Sequence, residues 1–502
     1  MLVDTQYFKN SKQLLVSYIN SSGRTKVKWV PWESPFKYEI CDADDPEREE
    51  KYHSWENKPI KKAYCDYPDR YSTYEFLDSL PEEETKEIFE FYIPKTYFID
   101  IETEVIDGFP DPAEAPTMIQ SISIVYDDKI ILMGLKDLSD DAQKRILEKT
   151  NEYFKKFNAS YKLKFIKYNS EFDMLYSFFN KFLPEMPCIT GWNFLDFDFR
   201  FLVNRAKKLT KTVNGTVYNI DPRKCSISNR LNNIWGTDYE IPAHKLVFDY
   251  MLLYDALDTS IKVKESKSLD FVSENMLGVK KIEYDGDLMS LYEKDYERFM
   301  YYNAVDSVLV QKIHEKGNYI SIIFAVASLA RIKAVDVFSY MNNNLGSLAI
   351  TEGVLRGMFR EEENIILFKD TTKNNSGAGR IAGGWVKEPS VGMNRWVACY
   401  DFASLYPTTQ RQFFIAPENY RGMIDKQDPH YCISMDGKRI KINKEFDVVC
   451  VNGSVFRKKK SPTLKMLENV YADRKMNKRK MQAKKLELDE KVKELERLKS
   501  MI

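Results

Sequence analysis

Tyr97-Phe98-Ile99-Asp100-Ile101-Glu102-Thr103 sets two carboxylates, spaced i and i+2, among apolar neighbours. A strand's period of two puts Asp100 and Glu102 on one face. Burying two like charges side by side is costly unless a cation neutralises them. A hard divalent ion such as Mg²⁺ favours oxygen ligands of this kind. The plainer reading of this stretch alone is a strand at a sheet edge with solvated acids. Short motifs match by chance, so the choice depends on what lies downstream.

From Lys95 onward the pattern is strand, strand, strand, helix, strand, helix. Met118–Tyr126 and Lys129–Leu135 are alternating runs joined by Asp127-Asp128, a hairpin signal. A helix is predicted over Ser139–Phe157, a strand over Leu163–Tyr168, and a second helix over Ser170–Phe182. Ser170 with Asp173 forms an acidic variant of a capping box. Pro187–Trp192 is a fifth apolar run. Strands with interspersed helices imply a mixed sheet with helices on its faces, an α/β domain.

Three further positions carry chemistry. Asp198 lies between Phe197 and Phe199, just past Thr190-Gly191-Trp192-Asn193, at the strand-end edge where such sheets bind ligands. By itself a helix-capping aspartate is the plainer reading. Tyr302 and Asp306, in a helical stretch from Tyr292 to His314, share a face at i and i+4; a surface Tyr–Asp hydrogen bond is the bland alternative. Four carboxylates can hold two divalent ions, which activate a water and stabilise the leaving oxygen in phosphodiester hydrolysis.

Composition narrows the class. The 502 residues suffice for about three or four domains. With 43% apolar and 30% charged residues, the chain reads as soluble, and no run approaches the roughly 20 apolar residues of a membrane span. Seven scattered cysteines indicate neither a disulfide framework nor a zinc site, and four histidines argue against His-based chemistry. The start, Met1-Leu2-Val3-Asp4-Thr5, lacks signal-peptide character. The expectation is a reduced, intracellular protein. Net charge is zero overall, but from Arg457 onward sixteen Lys/Arg face seven Asp/Glu, which suggests a polyanion partner or a solvated helix.

In chain order, Asp-x-Glu, Asp and Tyr-x-x-x-Asp resemble the 3′→5′ exonuclease domain of the family B DNA polymerases, on a ribonuclease H-like fold. The matching blocks are Phe98–Thr103, Thr190–Arg205 and Tyr301–Asp306, with Ser268-Leu269-Asp270-Phe271 fitting a further block. The resemblance implies that Asp100, Glu102, Asp198 and Asp306 bind two Mg²⁺ or Mn²⁺ and that Tyr302 positions the attacking water. It is closest to polymerases of tailed, T-even-like bacteriophages, where Asp-Ile-Glu, Asp-Gly-Phe-Pro (Asp107–Pro110) and Val-Lys-Glu-Pro recur.

The second half extends the resemblance. Val397-Ala398-Cys399-Tyr400-Asp401-Phe402-Ala403-Ser404-Leu405-Tyr406-Pro407 reads as a strand ending in Asp401 and looks like the first catalytic motif of the family's palm. By resemblance, Asp401 and the Phe402 carbonyl bind polymerase metals, the Ser404 and Leu405 amides hold the incoming triphosphate, and Tyr406 packs under the sugar. Gly383, Gly384 and Lys387 would contact DNA, although Ile381 stands where the family has tyrosine. Ser461-Pro462 opens a helix in which Arg474 and Lys478 align with the triphosphate-binding residues of the fingers. Leu488, Val492, Leu495 and Ile502 form a stripe that calls for a partner.

The later palm, fingers and thumb motifs are not found. The expected architecture is α/β multidomain: 1–94 an N-terminal domain completed by 319–371, 95–318 the exonuclease domain, 372–460 a partial palm, and 461–502 the first half of the fingers. The expected function is the amino-terminal part of a DNA-directed DNA polymerase with proofreading. Its substrates would be primer–template DNA, single-stranded 3′ ends and dNTP. A second polypeptide would supply the rest and carry the contact with the sliding clamp, in the cytoplasm of a bacteriophage-infected cell and with no membrane contact. A standalone exonuclease and a non-catalytic nucleic-acid-binding fragment are the alternatives.

Overall fold

The computed structural model describes residues 1–106, 108–234, 237–259, 264–283, 288–339, 344–368, 387–389, 391–393, 395–402, 404–435 and 437–499. The chain forms two compact units: Met1–Phe36 with Tyr64–Gly353, and Lys37–Ala63 with Val354–Ile502.

The first unit is built on a six-stranded mixed sheet. Its order is Lys162–Lys167, Lys129–Gly134, Ile119–Tyr126, Thr96–Thr103, Cys188–Gly191 and Leu246–Asp249. Thr96–Thr103, Ile119–Tyr126 and Lys129–Gly134 pair antiparallel in succession, and the outer neighbours pair parallel. The hairpin turns at Asp127, whose φ is +49°. The two predicted helix starts form as read: Ser139 and Ser170 accept from the Ala142 and Asp173 amides. Asp173 completes its box by accepting from the Ser170 hydroxyl at 2.7 Å rather than from a backbone amide.

Alternation divides the sheet into two faces. Ile99 and Ile101 lie opposite Ile124 and Ile122, and these four pack with Phe178, Phe194, Phe199 and Leu202 in one core. Phe98, Asp100 and Glu102 therefore point to the other face. That face is covered by the helix Tyr296–Gly317, which packs on Thr96–Thr103 and Ile119–Tyr126. Phe299, Met300, Val305, Val308, Leu309 and Ile313 are buried along it. Full burial of such side chains contributes about 1.5–3 kcal/mol each, so the helix is anchored rigidly above the two acids.

A three-stranded antiparallel sheet, Leu2–Phe8, Gln13–Ile19 and Thr25–Pro31, belongs to the same unit. Trp32 stacks on Phe76 with ring centroids 4.2 Å apart. Lys333 pairs with Asp4 at 3.3 Å, and the Tyr74 hydroxyl donates to Asp336 at 2.6 Å.

The second unit contains a five-stranded antiparallel sheet between Tyr420 and Arg457, with Arg421 paired to the buried Asp447 at 2.8 Å. Its helix Pro462–Lys499 runs 38 residues from the predicted proline start. Ile365–Ile366 pairs parallel with His53–Ser54.

Two expectations are corrected. The helix expected from Tyr292 is two helices, Leu288–Lys294 and Tyr296–Gly317, because Asp295 leaves helical geometry and caps the Arg298 amide at 3.0 Å. Val397–Asp401 is not a strand. Val397 and Tyr400 are 76% and 93% exposed. A strand requires a neighbour for its amides and carbonyls, and among the described residues none pairs with this segment. Gly383, Gly384, Asp107 and Ile502 lie outside the described residues.

Candidate active site

Asp100 and Glu102 meet Asp306 at the face beneath the long helix. One carboxylate oxygen from each lies within 4.8 Å of the others. Tyr302 sits one turn before Asp306, and Asn303 lies three residues before it, on the side facing the strand. Asn303 donates to Asp100 Oδ2 at 2.7 Å and accepts from the Ser121 hydroxyl at 3.1 Å.

Asp198 reaches the site from a different direction. It is the first residue of the helix Asp198–Lys208, with Phe197 at the capping position, so it is not the helix cap that the plainer sequence reading allowed. Its Oδ1 accepts from the Ile101 amide at 3.1 Å. The reason lies in the sheet: Cys188–Gly191 pairs with the central strand only as far as Phe98. Beyond that point the strand edge is open, and Asp198 satisfies one of its donors. Gly191 permits this close crossing, because a Cβ there would lie 2.4 Å from the Ile99 carbonyl and 2.7 Å from the Phe194 ring. Asp198 stands outside the three-carboxylate group.

Burial first, and then the charge of Asp306, push the Asp100 carboxyl up to about 7. Burial, Asp100 and Asp306 push Glu102 well above the ordinary carboxylate range, and burial with Asp100 does the same to Asp198. Burial raises Asp306 as well, against the opposing pull of Lys281. Such a cluster is short of positive charge. Lys281 supplies part of it, ion-paired with Asp306. Burial depresses the Lys281 ammonium, but Asp306 and Tyr302 reverse this and hold it well above its usual value. Asp306 Oδ1 remains buried without a hydrogen-bond partner. Three convergent carboxylates with an orphaned oxygen fit a hard divalent cation.

Sequence reasoning missed Lys281, Asn303 and Ser121. Lys281 is held by its own amide, which donates to Asp270 Oδ1 at 2.7 Å, so the Ser268–Phe271 block places it. A polar Asn303 one turn before Asp306, among apolar residues such as Phe299, Met300 and Val305, was the available signal. Asp249 was missed too: fully buried at the end of Leu246–Asp249, it accepts from the Leu195, Met251 and Leu252 amides and pins the loop before Asp198. Phe109 is 79% exposed, and its ring centroid is 4.7 Å from that of the half-buried Phe197, which precedes Asp198. An exposed ring such as that of Phe109 has a face on which a nucleobase can stack.

The second-half residues sit in the other unit. Asp401, Phe402 and Lys387 are exposed and lie outside regular structure. Ser404 has a φ of +54° and precedes the helix Leu405–Phe413, where Tyr406 is 78% exposed. Arg474 donates to the Ser404 hydroxyl at 3.1 Å, and Lys478 is exposed one turn further along the helix Pro462–Lys499.

Comparison with known proteins agrees with this geometry. Residues 63–240 match the family described as DNA polymerase family B, exonuclease domain. The chain is 26% identical over 352 residues to the DNA-directed DNA polymerase of Escherichia phage RB69, covering 68% of this chain and 37% of that protein. It is 26% identical over 326 residues to that of Enterobacteria phage T4, covering 64% and 34%. The DNA polymerase catalytic subunit of Tupaiid herpesvirus 1 is 27% identical over 270 residues, covering 48% and 22%. The chain thus spans about a third of the length of the phage relatives it matches. The matched segment contains Asp100, Glu102 and Asp198, and the fold brings Asp306 to the first two. With its ribonuclease H-like mixed sheet, this part of the chain is similar to the exonuclease domain of the family B DNA polymerases, which residues 63–240 match.

Proposed function

We propose that the chain is a metal-dependent 3′→5′ DNA exonuclease, the proofreading part of a family B polymerase. The observation that carries this reading is the convergence of Asp100, Glu102 and Asp306 within 4.8 Å, with Asp306 Oδ1 unpartnered. These three residues would hold Mg²⁺ or Mn²⁺, and Asp198 would join them toward a second ion. The bound metal supplies an activated water and charge stabilisation for the leaving oxygen. Tyr302 orients the water through its hydroxyl. Lys281 neutralises Asp306 and adds positive charge beside the scissile phosphate. Phe109 and Phe197 stack the terminal bases of a single-stranded 3′ end.

The polymerising role belongs to the same proposal. In it, 1–94 with 319–371, 95–318, 372–460 and 461–502 are the N-terminal domain, exonuclease, partial palm and first fingers helix. Asp401 and Phe402 serve as metal-binding groups, Ser404, Leu405, Tyr406, Arg474 and Lys478 as nucleotide-binding groups, and Gly383, Gly384 and Lys387 as template contacts. The Arg474–Ser404 bond supports a shared anion site. A second polypeptide completes the palm, fingers and thumb and carries the sliding-clamp contact. The exposure of Trp396, Val397, Tyr400 and Phe402 supports a partner surface there. The site of action is the cytoplasm of the infected host cell. Among the described residues no helix is long and apolar enough to cross a membrane.

A 5′-labelled primer–template with Mg²⁺, with and without the four deoxynucleotides, tests the proposal. Shortening from the 3′ end that nucleotides do not reverse is the expected result. Extension by this chain alone would overturn the need for a second polypeptide, and no degradation at any metal concentration would overturn the nuclease reading.

A further inference from the structure

Asn303 is fully buried in the helix Tyr296–Gly317, among Phe299, Met300 and Val305 and one turn from Asp306. Its amide is engaged on both sides. The nitrogen donates to Asp100 Oδ2 at 2.7 Å, and the oxygen accepts from Ser121 Oγ at 3.1 Å. Ser121 is itself fully buried and sits on the strand beside Asp100, opposite Glu102. A carboxamide can flip, exchanging its donor and acceptor ends. Ionised Asp100 only accepts, so it selects the nitrogen end, and the Ser121 hydroxyl, which can donate, holds the oxygen end on the other side. The donor end is thereby committed to Asp100.

We propose that Asn303, oriented by Ser121, is the positioning residue that presets Asp100 for metal binding. Resting on the metal-site reading above, this inference concerns how that site reaches its affinity. Fixing Asp100 Oδ2 fixes the orientation of the carboxylate, one oxygen of which belongs to the group formed with Glu102 and Asp306. The same bond favours the ionised form of Asp100 against the cost of burial. Partners that orient a metal-binding side chain commonly govern affinity by about 10–100-fold.

The test is Mn²⁺ binding to the full chain without DNA, read by electron paramagnetic resonance of free Mn²⁺ and by calorimetry. It covers the wild type, Asn303→Leu, Ser121→Ala and Asp100→Ala. Asn303→Leu should weaken Mn²⁺ binding about 10–100-fold, and Ser121→Ala should weaken it by a smaller factor. In nuclease assays the half-saturating Mn²⁺ should rise in parallel, while kcat at saturating Mn²⁺ stays within a few-fold of wild type. An amide that merely fills space would lower the active fraction at every metal concentration without moving the half-saturation point. Unchanged Mn²⁺ affinity in a folded Asn303→Leu protein overturns the proposal. Should that variant fail to fold by circular dichroism, unchanged affinity in Ser121→Ala overturns it instead. If wild type and Asp100→Ala bind Mn²⁺ alike, it is the metal-site reading that has failed.

Discussion

Lys281 is ion-paired with the buried carboxylate of Asp306, and its ammonium lies 4.9 Å from the centroid of the Tyr302 ring. The lysine comes from a loop 25 positions upstream in the sequence, yet it occupies the place where the acids most need a cation. Removing one partner of a buried pair leaves an uncompensated charge and costs about 3–5 kcal/mol. Lys281→Met should therefore lower the melting temperature of metal-free protein, and Mg²⁺ should recover more of that loss in the variant than it adds to wild type. Thermal melts with and without Mg²⁺ decide this; equal melting temperatures for both proteins would show that the pair supports nothing.

Asp100→Asn keeps the shape of the side chain and removes one charge from the three-carboxylate group. Nuclease activity should fall by more than the roughly 100-fold that outer partners of a metal site alone can cost. Binding of a labelled single strand should persist, since Phe109 and Phe197 are untouched. Fluorescence anisotropy alongside the cleavage assay separates the two, and retained cleavage would remove Asp100 from the site.

His314 gives the first unit an acid-sensitive point. Burial holds its imidazole down to about 4, between the Phe98 ring at 5.4 Å and the Tyr250 hydroxyl at 3.2 Å. Above pH 6.5 both folded and unfolded forms are neutral, and the stability is fully present. As pH falls from 6.5 through 4, the unfolded chain takes up a proton that the folded one refuses, and stability is lost. His314→Gln should flatten this part of the profile. Urea midpoints at pH 7 and pH 5 measure it, and an unchanged difference between them would rule His314 out as its source.

Gly191→Ala should perturb the site without touching an acid. The added Cβ meets backbone at 2.4 Å, so the crossing over Ile99 must open. Overpacking of this kind costs about 1–3 kcal/mol. It should also loosen the loop that leads to Asp198, lowering cleavage more than single-strand binding. Hydrogen exchange at the Ile101 amide, which Asp198 protects, reports the movement directly.

Much of the sheet was legible from local chemistry. Alternation over Tyr97–Thr103 placed Asp100 and Glu102 on a common face, the serines at 139 and 170 marked helix starts, and the i, i+4 spacing aligned Tyr302 with Asp306. Each of these signals spans a few residues, the range over which backbone geometry dictates where a side chain points. Asp295 was the local exception: its side chain offers the Arg298 amide a cap, and the expected single helix divides there.

What sequence patterning determined was therefore which acids exist, on which elements and on which face. The tertiary structure alone decided their partners. Asn303 meets Asp100 across 203 positions and Ser121 across 182, and no periodicity encodes such a meeting. The duty of Asp198 to the Ile101 amide exists only because the neighbouring strand stops pairing at Phe98. Among the described residues, the expected strand at Val397 finds no neighbour to pair with. An apolar run has the capacity to be a strand, but only a hydrogen-bonding neighbour, supplied by the fold and not by the run itself, makes it one.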